Sequence, residues 1–167
     1  MNRTTAEINR DVAVGLSNNL PRLLREFSRD FERRICQALA ARGYPDIRPS
    51  HSAVLANLGL GAVRVTELAQ RAQVTQQAMG KMLKELERMG YLVREIDSGD
   101  KRARQIRLTE RGAQLARDSL AVQTEVRSHY AGKIGDESLQ RLEADLSDAI
   151  GKLEFNYLPK SWADSPT

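Results

Sequence analysis

The chain has 167 residues, the size of one domain, and its 41% hydrophobic and 29% charged residues fit a helical protein with a large surface. A single cysteine excludes an intramolecular disulfide framework. No stretch approaches the roughly 18 apolar residues of a membrane span, and the polar start lacks the apolar core of a signal peptide, so we expect a cytoplasmic protein without a membrane partner.

The net charge of +4 is unevenly distributed along the chain. Residues 1–74 carry eleven Lys and Arg against seven Asp and Glu, and residues 75–111 carry nine against six. From residue 112 onward the balance reverses to six against nine. A basic head on an acidic body is the organisation expected of a protein whose head binds nucleic acid.

The first predicted element is a long helix over residues 18–43, preceded by a loose polar arm over residues 1–17. Apolar residues recur every three or four positions, Pro21 fits only the first turn, and Gly43 ends the helix. The stripe is longer than a small head needs and indicates a partner helix, although an ordinary core-facing helix accounts for half of it. Its members are Leu20, Leu24, Phe27, Phe31, Ile35 and Leu39.

A helix-turn-helix is predicted within a head that covers residues 49–111. Thr66 is the expected N-cap of the first helix, Gln73 and Val74 form the turn, and Thr75 is the N-cap of the second helix. One side of the second helix is apolar, with Met79, Met82, Leu83, Leu86 and Met89. The opposite side is a polar, partly basic strip, with Gln76, Gln77, Gly80, Lys81 and Lys84.

The composition of this strip suits a reader of the DNA major groove. A glutamine amide can pair with adenine, and a lysine can reach guanine or a phosphate. Gly80 costs about 0.5–1 kcal/mol of helix stability relative to alanine, but it lets the helix lie close to a partner surface. The alternative is a solvated amphipathic helix with an incidental glycine.

Two strands are predicted after the second helix, over residues 91–97 and 105–109, and a short strand over residues 62–65 adds a third. The connection between the two longer strands contains the cations Lys101, Arg102 and Arg104. A hairpin with arginines at its tip suits the narrow, electronegative minor groove.

These segments resemble the MarR-type winged helix-turn-helix transcription regulators. The matching pieces are VRVTELA (residues 63–69), Val74-Thr75, LERMGY (86–91) and, most specifically, DKRAR (100–104) leading into LTERG (108–112). The resemblance covers about residues 20–153. It implies a mainly α fold with a small β-hairpin wing, namely a winged helix-turn-helix head with long N- and C-terminal dimerisation helices.

The resemblance also implies a homodimer that binds a pseudo-palindromic operator in double-stranded DNA, represses transcription, and is released by a small aromatic or phenolic ligand. It implies that Arg102 enters the minor groove and that Asp100 supports the wing. The expected DNA contacts are Thr75, Gln76, Gln77, Gly80, Lys81, Lys84, Arg102 and Arg104. Residues 78–81 depart from the family's commoner run, which leaves the base sequence open. The alternative is a winged-helix protein-interaction module that binds no nucleic acid.

The C-terminal body is predicted as two helices within residues 112–156, which the resemblance implies are dimerisation helices. We expect interruptions at Gly132 and Gly135 and an N-cap at Asp136. A loose tail is predicted over residues 159–167. The whole chain, residues 1–167, is therefore expected to form one domain.

Two further residues are candidate sites. His51 can pair with a ligand carboxylate, and a capping or surface role is the alternative. Cys36 follows Arg33 and Arg34, which lower a thiol pKa where the thiol is exposed, and a small buried hydrophobe is the alternative to redox sensing. His51 and His129 lack the spacing of a metal site, and no enzyme or cofactor motif is found.

Overall fold

The computed structural model describes residues 4–58, 63–96 and 104–157. A single 3₁₀ turn, Pro49–His51, precedes α3. The helices are α1 Thr5–Ser17, α2 Leu20–Ala41, α3 Ser52–Leu58, α4 Val65–Arg71, α5 Gln76–Arg88, α6 Glu110–Ile134 and α7 Asp136–Leu153, and the strands are β1 Val63–Arg64, β2 Leu92–Ile96 and β3 Arg104–Leu108. This architecture confirms the predicted mainly α fold class with a small antiparallel wing.

The three strands form one antiparallel sheet in the order β1-β3-β2. Val63 lies opposite Ile106, and Leu92 lies opposite Leu108. The side chains of Val63, Leu92 and Ile106 are buried with those of α3, α4 and α5, so one face of the sheet closes the core of the head. This packing fixes the hairpin relative to the helix-turn-helix.

The long helices form a second layer, in which α2 packs against α6 and α6 packs against α7. The predicted start of α2 is confirmed, because the Asn19 side chain accepts the Arg22 N–H at 3.0 Å. Between α2 and α6, the Phe31 and Tyr130 rings stack with centroids 5.4 Å apart, and the Tyr130 hydroxyl donates to Asp30. These contacts hold the body of the protein together.

The expectation of a loose arm over residues 1–17 is wrong for its backbone, because α1 covers Thr5–Ser17. Val12 and Leu16 lie one turn apart on this helix and remain 53% and 64% exposed. The prediction considered only core-facing periodicity, whereas α1 forms although none of its described side chains is buried. The predicted tail over residues 159–167 lies outside the described residues.

Three predicted helix boundaries also differ from the structure. Arg64 occupies the N-cap position of α4, because the chain passes from β1 directly into the helix, and Thr66 lies in the first turn. Gly135, at φ +87°, ends α6 and precedes α7, so Asp136 is the first helical residue instead of the cap. Gly132 does not interrupt α6.

The base of the wing meets α6 in a joint centred on Thr109. The Thr109 hydroxyl donates to the Gly90 carbonyl at 2.6 Å and accepts the Gly112 N–H at 3.0 Å. The Thr109 N–H donates to the Tyr91 carbonyl at 3.1 Å. Gly90 itself has φ +80°, the left-handed conformation that turns the chain from the end of α5 into β2. One threonine thus caps α6 and ties it to the end of α5.

Gly112 allows this joint to close. A Cβ at this position would overlap the Tyr91 carbonyl oxygen and lie 3.0 Å from its carbon and 3.1 Å from Leu108 Cδ2. Both carbonyl atoms belong to backbone that is fixed by hydrogen bonds, so they cannot move aside as a flexible side chain would. The glycine of the LTERG segment is therefore required by a close approach between α6 and the chain entering β2.

We expect Gly112→Ala to lower the free energy of unfolding by about 1–3 kcal/mol, because the added methyl group overpacks a joint made of backbone. Urea unfolding followed by circular dichroism measures the change. Gly132→Ala is the matched control in the same helix, since a Cβ there meets nothing within 4 Å among the described residues. The control should gain about 0.5–1 kcal/mol from helix propensity. Equal stability of the two variants would contradict the close approach.

Candidate nucleic-acid interface

Helix α5 presents the candidate site, and its sequence explains its position. The Thr75 side chain accepts the Ala78 N–H at 3.1 Å, which confirms the predicted N-cap. Met79, Leu83 and Leu86 are at most 1% exposed and bury one face of the helix in the head. The preceding turn is closed by Gln73, at φ +52°, and by a bond from the Val74 N–H to the Ala69 carbonyl. Helix α4 and this turn therefore hold α5 by its apolar side.

The opposite side of α5 is open to solvent. Gln76, Gln77, Lys81 and Lys84 are exposed, together with the cap residue Thr75. We call these five residues and Gly80 the reading strip. The structure brings all six sequence-predicted residues of the helix to this one surface, beginning at the helix N-terminus, where free N–H groups and the helix dipole favour an anion.

Gly80 is half-buried, yet a Cβ there would meet nothing within 4 Å among the described residues. Its backbone is helical, so neither packing nor φ requires a glycine. The absence of a side chain opens a shallow depression between Gln77 and Lys84, one turn to either side of it. Among the described residues, packing gives no reason for a glycine at this position.

Of the wing, the structure describes only the two strands β2 and β3. Arg104 begins β3 opposite Ile96 at the end of the ladder, and the predicted residues Asp100 and Arg102 lie outside the described residues. The sequence analysis did not predict the ion pairs that two arginines of these strands form. Arg107 pairs across the strands with Glu95 at 3.0 Å, and Arg94 pairs with Glu87 of α5 at 3.0 Å. The second pair joins the wing to the helix that carries the strip.

Tyr91 fixes the start of the wing from the opposite side. Its ring is fully buried, its hydroxyl donates to Asp46 at 2.9 Å and accepts from Arg111 at 3.1 Å, and the Arg111 guanidinium lies 4.7 Å from its ring centroid. Burial raises the pKa of this tyrosine, so its hydroxyl stays protonated and able to donate. The loop before α3 is thereby tied to β2 and α6.

His51 lies in the turn before α3 and contacts α5. Its side chain is 1% exposed, Nδ1 accepts the Arg48 N–H at 3.2 Å, and Nε2 lies 3.1 Å from the Glu85 carboxylate of α5. Both ring nitrogens are therefore bonded within the protein. The capping alternative describes the Nδ1 contact, whereas nothing in the sequence pattern pointed to the partnership with Glu85.

A cavity of about 350 Å³ adjoins this histidine. It lies between the loop that leads to α3 and the second half of α5. Its lining residues are Asp46, Arg48, His51, Glu85, Arg88 and Met89. With two arginines on its walls, the cavity can accept a small molecule that carries a carboxylate or a phosphate.

Cys36 is half-buried on α2, and burial raises its thiol pKa, with a smaller contribution from Glu32. The two arginines that precede it do not activate it, because both Arg33 and Arg34 pair with Asp30. Fewer thiolates form at neutral pH than in an exposed cysteine, which favours the inert alternative. His129 lies against the edge of the Tyr130 ring, with ring centroids 5.8 Å apart.

Within residues 4–58, 63–96 and 104–157, no group of three or more His, Cys, Asp and Glu side chains is arranged to hold a metal ion. In the same ranges, no helix is both long and apolar enough to cross a membrane.

Comparison with known proteins finds one family profile and several relatives that resemble this chain. The sequence profile of the MarR family matches residues 46–103, from the loop before the 3₁₀ turn to the wing. A curated relative, the exopolysaccharide II synthesis transcriptional activator ExpG of Rhizobium meliloti (strain 1021), is 33% identical over 96 residues, or 58% of this chain. The aligned part spans about half (50%) of the length of that relative.

Solved structures show the same fold. Apo MarR from E. coli has a TM-score of 0.68 at 20% identity, over 80% of this chain and 98% of that chain. CouR from Rhodococcus jostii RHA1, bound to p-coumaroyl-CoA, has a TM-score of 0.63 at 23% identity, over 81% of this chain and 94% of that chain. The F27L mutant of S. aureus MepR, bound to an oligodeoxyribonucleotide, has a TM-score of 0.53 at 21% identity, over 82% of this chain and 99% of that chain.

Proposed function

We propose that this chain, whose residues 46–103 match the profile of the MarR family, is a dimeric, sequence-specific winged helix-turn-helix regulator of transcription that binds double-stranded DNA. The reading strip enters the major groove, and the wing contacts the adjacent minor groove. Regulation, and not catalysis, is the activity that we assign. The protein-interaction module that binds no nucleic acid is the alternative.

The observation that carries this proposal is a surface that the fold does not use. Gln76, Gln77, Lys81 and Lys84 are exposed along one side of a helix whose other side is fully buried. Glutamine amides match the donor and acceptor pattern of adenine, and lysines match guanine or phosphate oxygens. The depression at Gly80 permits the close approach that base contacts need. The MepR relative, whose structure contains an oligodeoxyribonucleotide, supports DNA as the partner.

For the wing we propose that Arg102 enters the minor groove, that Asp100 supports the loop and that Arg104 contacts the backbone of the DNA. This part of the proposal rests on the DKRAR segment and its resemblance to the family. The antiparallel pairing of β2 with β3 supports it, since the two strands converge on the connection that contains these residues. An arginine in a narrow minor groove gains from its enhanced negative potential.

Salt dependence distinguishes DNA binding from the alternative. We expect the wild type to bind duplex DNA with an affinity that falls steeply as salt rises, because each neutralised phosphate releases counterions. Lys84→Ala should weaken binding and reduce the slope of log K against log salt by about one per subunit. Titration of a fluorescent duplex at several salt concentrations measures both.

The matched control is Lys152→Ala on α7, where the lysine is exposed and pairs with Asp148 at 2.6 Å. This variant should leave the affinity and the slope unchanged. A wild type that binds no duplex at any salt concentration would overturn the proposal in favour of the protein-interaction module.

Gly80→Ala separates stability from recognition. The methyl group meets nothing within 4 Å among the described residues, so the variant should unfold at a higher urea concentration, with a gain of about 0.5–1 kcal/mol. The same methyl group would stand between α5 and a groove, so DNA affinity should fall by about tenfold, the equivalent of 1.4 kcal/mol. Unfolding and DNA titration of one preparation measure the two effects. A more stable variant with unchanged affinity would contradict close approach at the strip.

A homodimer is proposed because the terminal helices leave apolar surface exposed. In α2 the stripe is buried at Leu39 but is 67% exposed at Leu20 and 41% at Leu24. In α7, Leu139 is buried, whereas Leu153 is 63% exposed. A second copy that pairs its own terminal helices with these would cover both stripes, as in a symmetric dimer with one patch on each subunit.

Leu20→Glu tests this dimer. A glutamate in the first turn suits the helix dipole, so the fold should be retained, whereas a charge in an apolar interface is costly to bury. We expect the variant to sediment as a monomer at a concentration where the wild type is dimeric. Val93→Glu, which places the same charge at an exposed valine of the wing, is the control and should remain dimeric. Equal sedimentation of wild type and Leu20→Glu would contradict the assignment of this surface.

We further propose that the regulator represses by occluding a promoter and is released by a small aromatic or phenolic effector. The CouR relative holds p-coumaroyl-CoA, and this chain has a cavity of about 350 Å³ beside α5. Arg48 and Arg88, rather than the doubly bonded His51, offer the cations for an acidic group of the ligand. Because the ExpG relative is named an activator, activation is the alternative outcome of the same promoter assay.

A further inference from the structure

The bond between His51 and Glu85 joins the turn before α3 to the helix that carries the reading strip. Glu85 follows Lys84 directly and lies one helical turn after Lys81, so its carboxylate borders the strip. A carboxylate at this position is unfavourable for a DNA-binding surface, because it repels phosphates and can pair with the lysine one turn away. What holds Glu85 therefore matters to recognition.

The hydrogen bonds of His51 assign a role to each ring nitrogen. Nδ1 accepts the Arg48 N–H at 3.2 Å, so Nε2 is the nitrogen that carries the proton directed at Glu85. That proton is donated to Glu85 Oε2 at 3.1 Å. The imidazole is thus bonded at both nitrogens and buried, and it acts as a rigid donor directed at the helix. The surrounding charged groups are Asp46, Arg48 and Arg88 of the adjoining cavity, with Lys81 on the helix.

We propose that His51 is a positioning residue of the reading strip, which holds the Glu85 carboxylate on the side of the 3₁₀ turn and away from Lys81 and the DNA. This inference rests on the proposed function. The hydrogen bond from His51 also lowers the pKa of Glu85, so the carboxylate remains charged while it is held. Without His51, the charged group is free to turn toward Lys81, pair with it and compete with phosphates.

His51→Asn is the first test, because the asparagine carbonyl can accept the Arg48 N–H while the side chain is too short to reach Glu85. On a short duplex of mixed sequence at low salt, we expect an affinity about three- to tenfold lower than that of the wild type, from a carboxylate close to phosphates. The slope against salt should be shallower, because Lys81 is partly neutralised.

The double variant His51→Asn/Glu85→Ala separates positioning from a structural role. Once the carboxylate is absent, loss of its donor should have no effect, so the double variant should bind as tightly as Glu85→Ala alone. If His51 only supported the fold, the double variant would remain as weak as His51→Asn. That result, or a His51→Asn variant with wild-type affinity, would overturn the inference.

A variant that leaves His51 in place provides a second measurement if His51→Asn fails to fold. Glu85→Gln retains an acceptor for the imidazole N–H but carries no charge, and it should change DNA affinity less than twofold because the native carboxylate is already held away. A gain of about tenfold would show that the charge opposes binding in the native protein and would overturn the inference. If the wild type binds no duplex, the proposed function itself is overturned. If the wild type binds but the variants give the contrary results, only the role of His51 is overturned.

Discussion

The contact between the backbone of α6 and the carbonyl of Tyr91 is the constraint on which the arrangement of this molecule depends. It exists because residue 112 has no side chain and because the Thr109 hydroxyl bonds both the start of α6 and the end of α5. The end of α5, the start of β2 and the start of α6 therefore meet at this contact. The direction of α6 is set by the head, and α6 in turn carries α2 and α7. In the proposed dimer, the spacing between the two reading strips depends on this joint.

The loop between α2 and α3 fixes the head from the other side. Asp46 bonds Tyr91 at the base of the wing, and His51 bonds Glu85 on α5, so one short loop reaches both parts of the proposed DNA surface. The cavity lies between these two attachments and is lined by residues of both the loop and α5. A ligand there would contact the reading helix directly. Coupling between effector and DNA would therefore need no chain of intermediate residues.

The parts of the fold that follow local rules could be predicted from the sequence. Apolar periodicity identified α2 and α5, Pro21 placed the first turn of α2, and a short polar side chain identified the cap at Thr75. Helix α1 was missed because its described side chains are all exposed, and the cap at Asp136 was misplaced because Gly135 takes the cap position with a positive φ. The partnership of His51 with Glu85 joins residues 34 positions apart, so it depends on how the turn before α3 packs against α5. No periodic pattern encodes such a contact.

The exposed polar side of α5 has a consequence for how this protein can change. Because the side chains at Gln76, Gln77, Lys81 and Lys84 do not contribute to the buried core, substitutions there carry little thermodynamic penalty. Under the proposed function, sequence drift at these four positions would alter the preferred operator while the scaffold remains intact. The same separation makes the helix a practical place to engineer new base preferences, since a library confined to this surface should consist mostly of folded proteins.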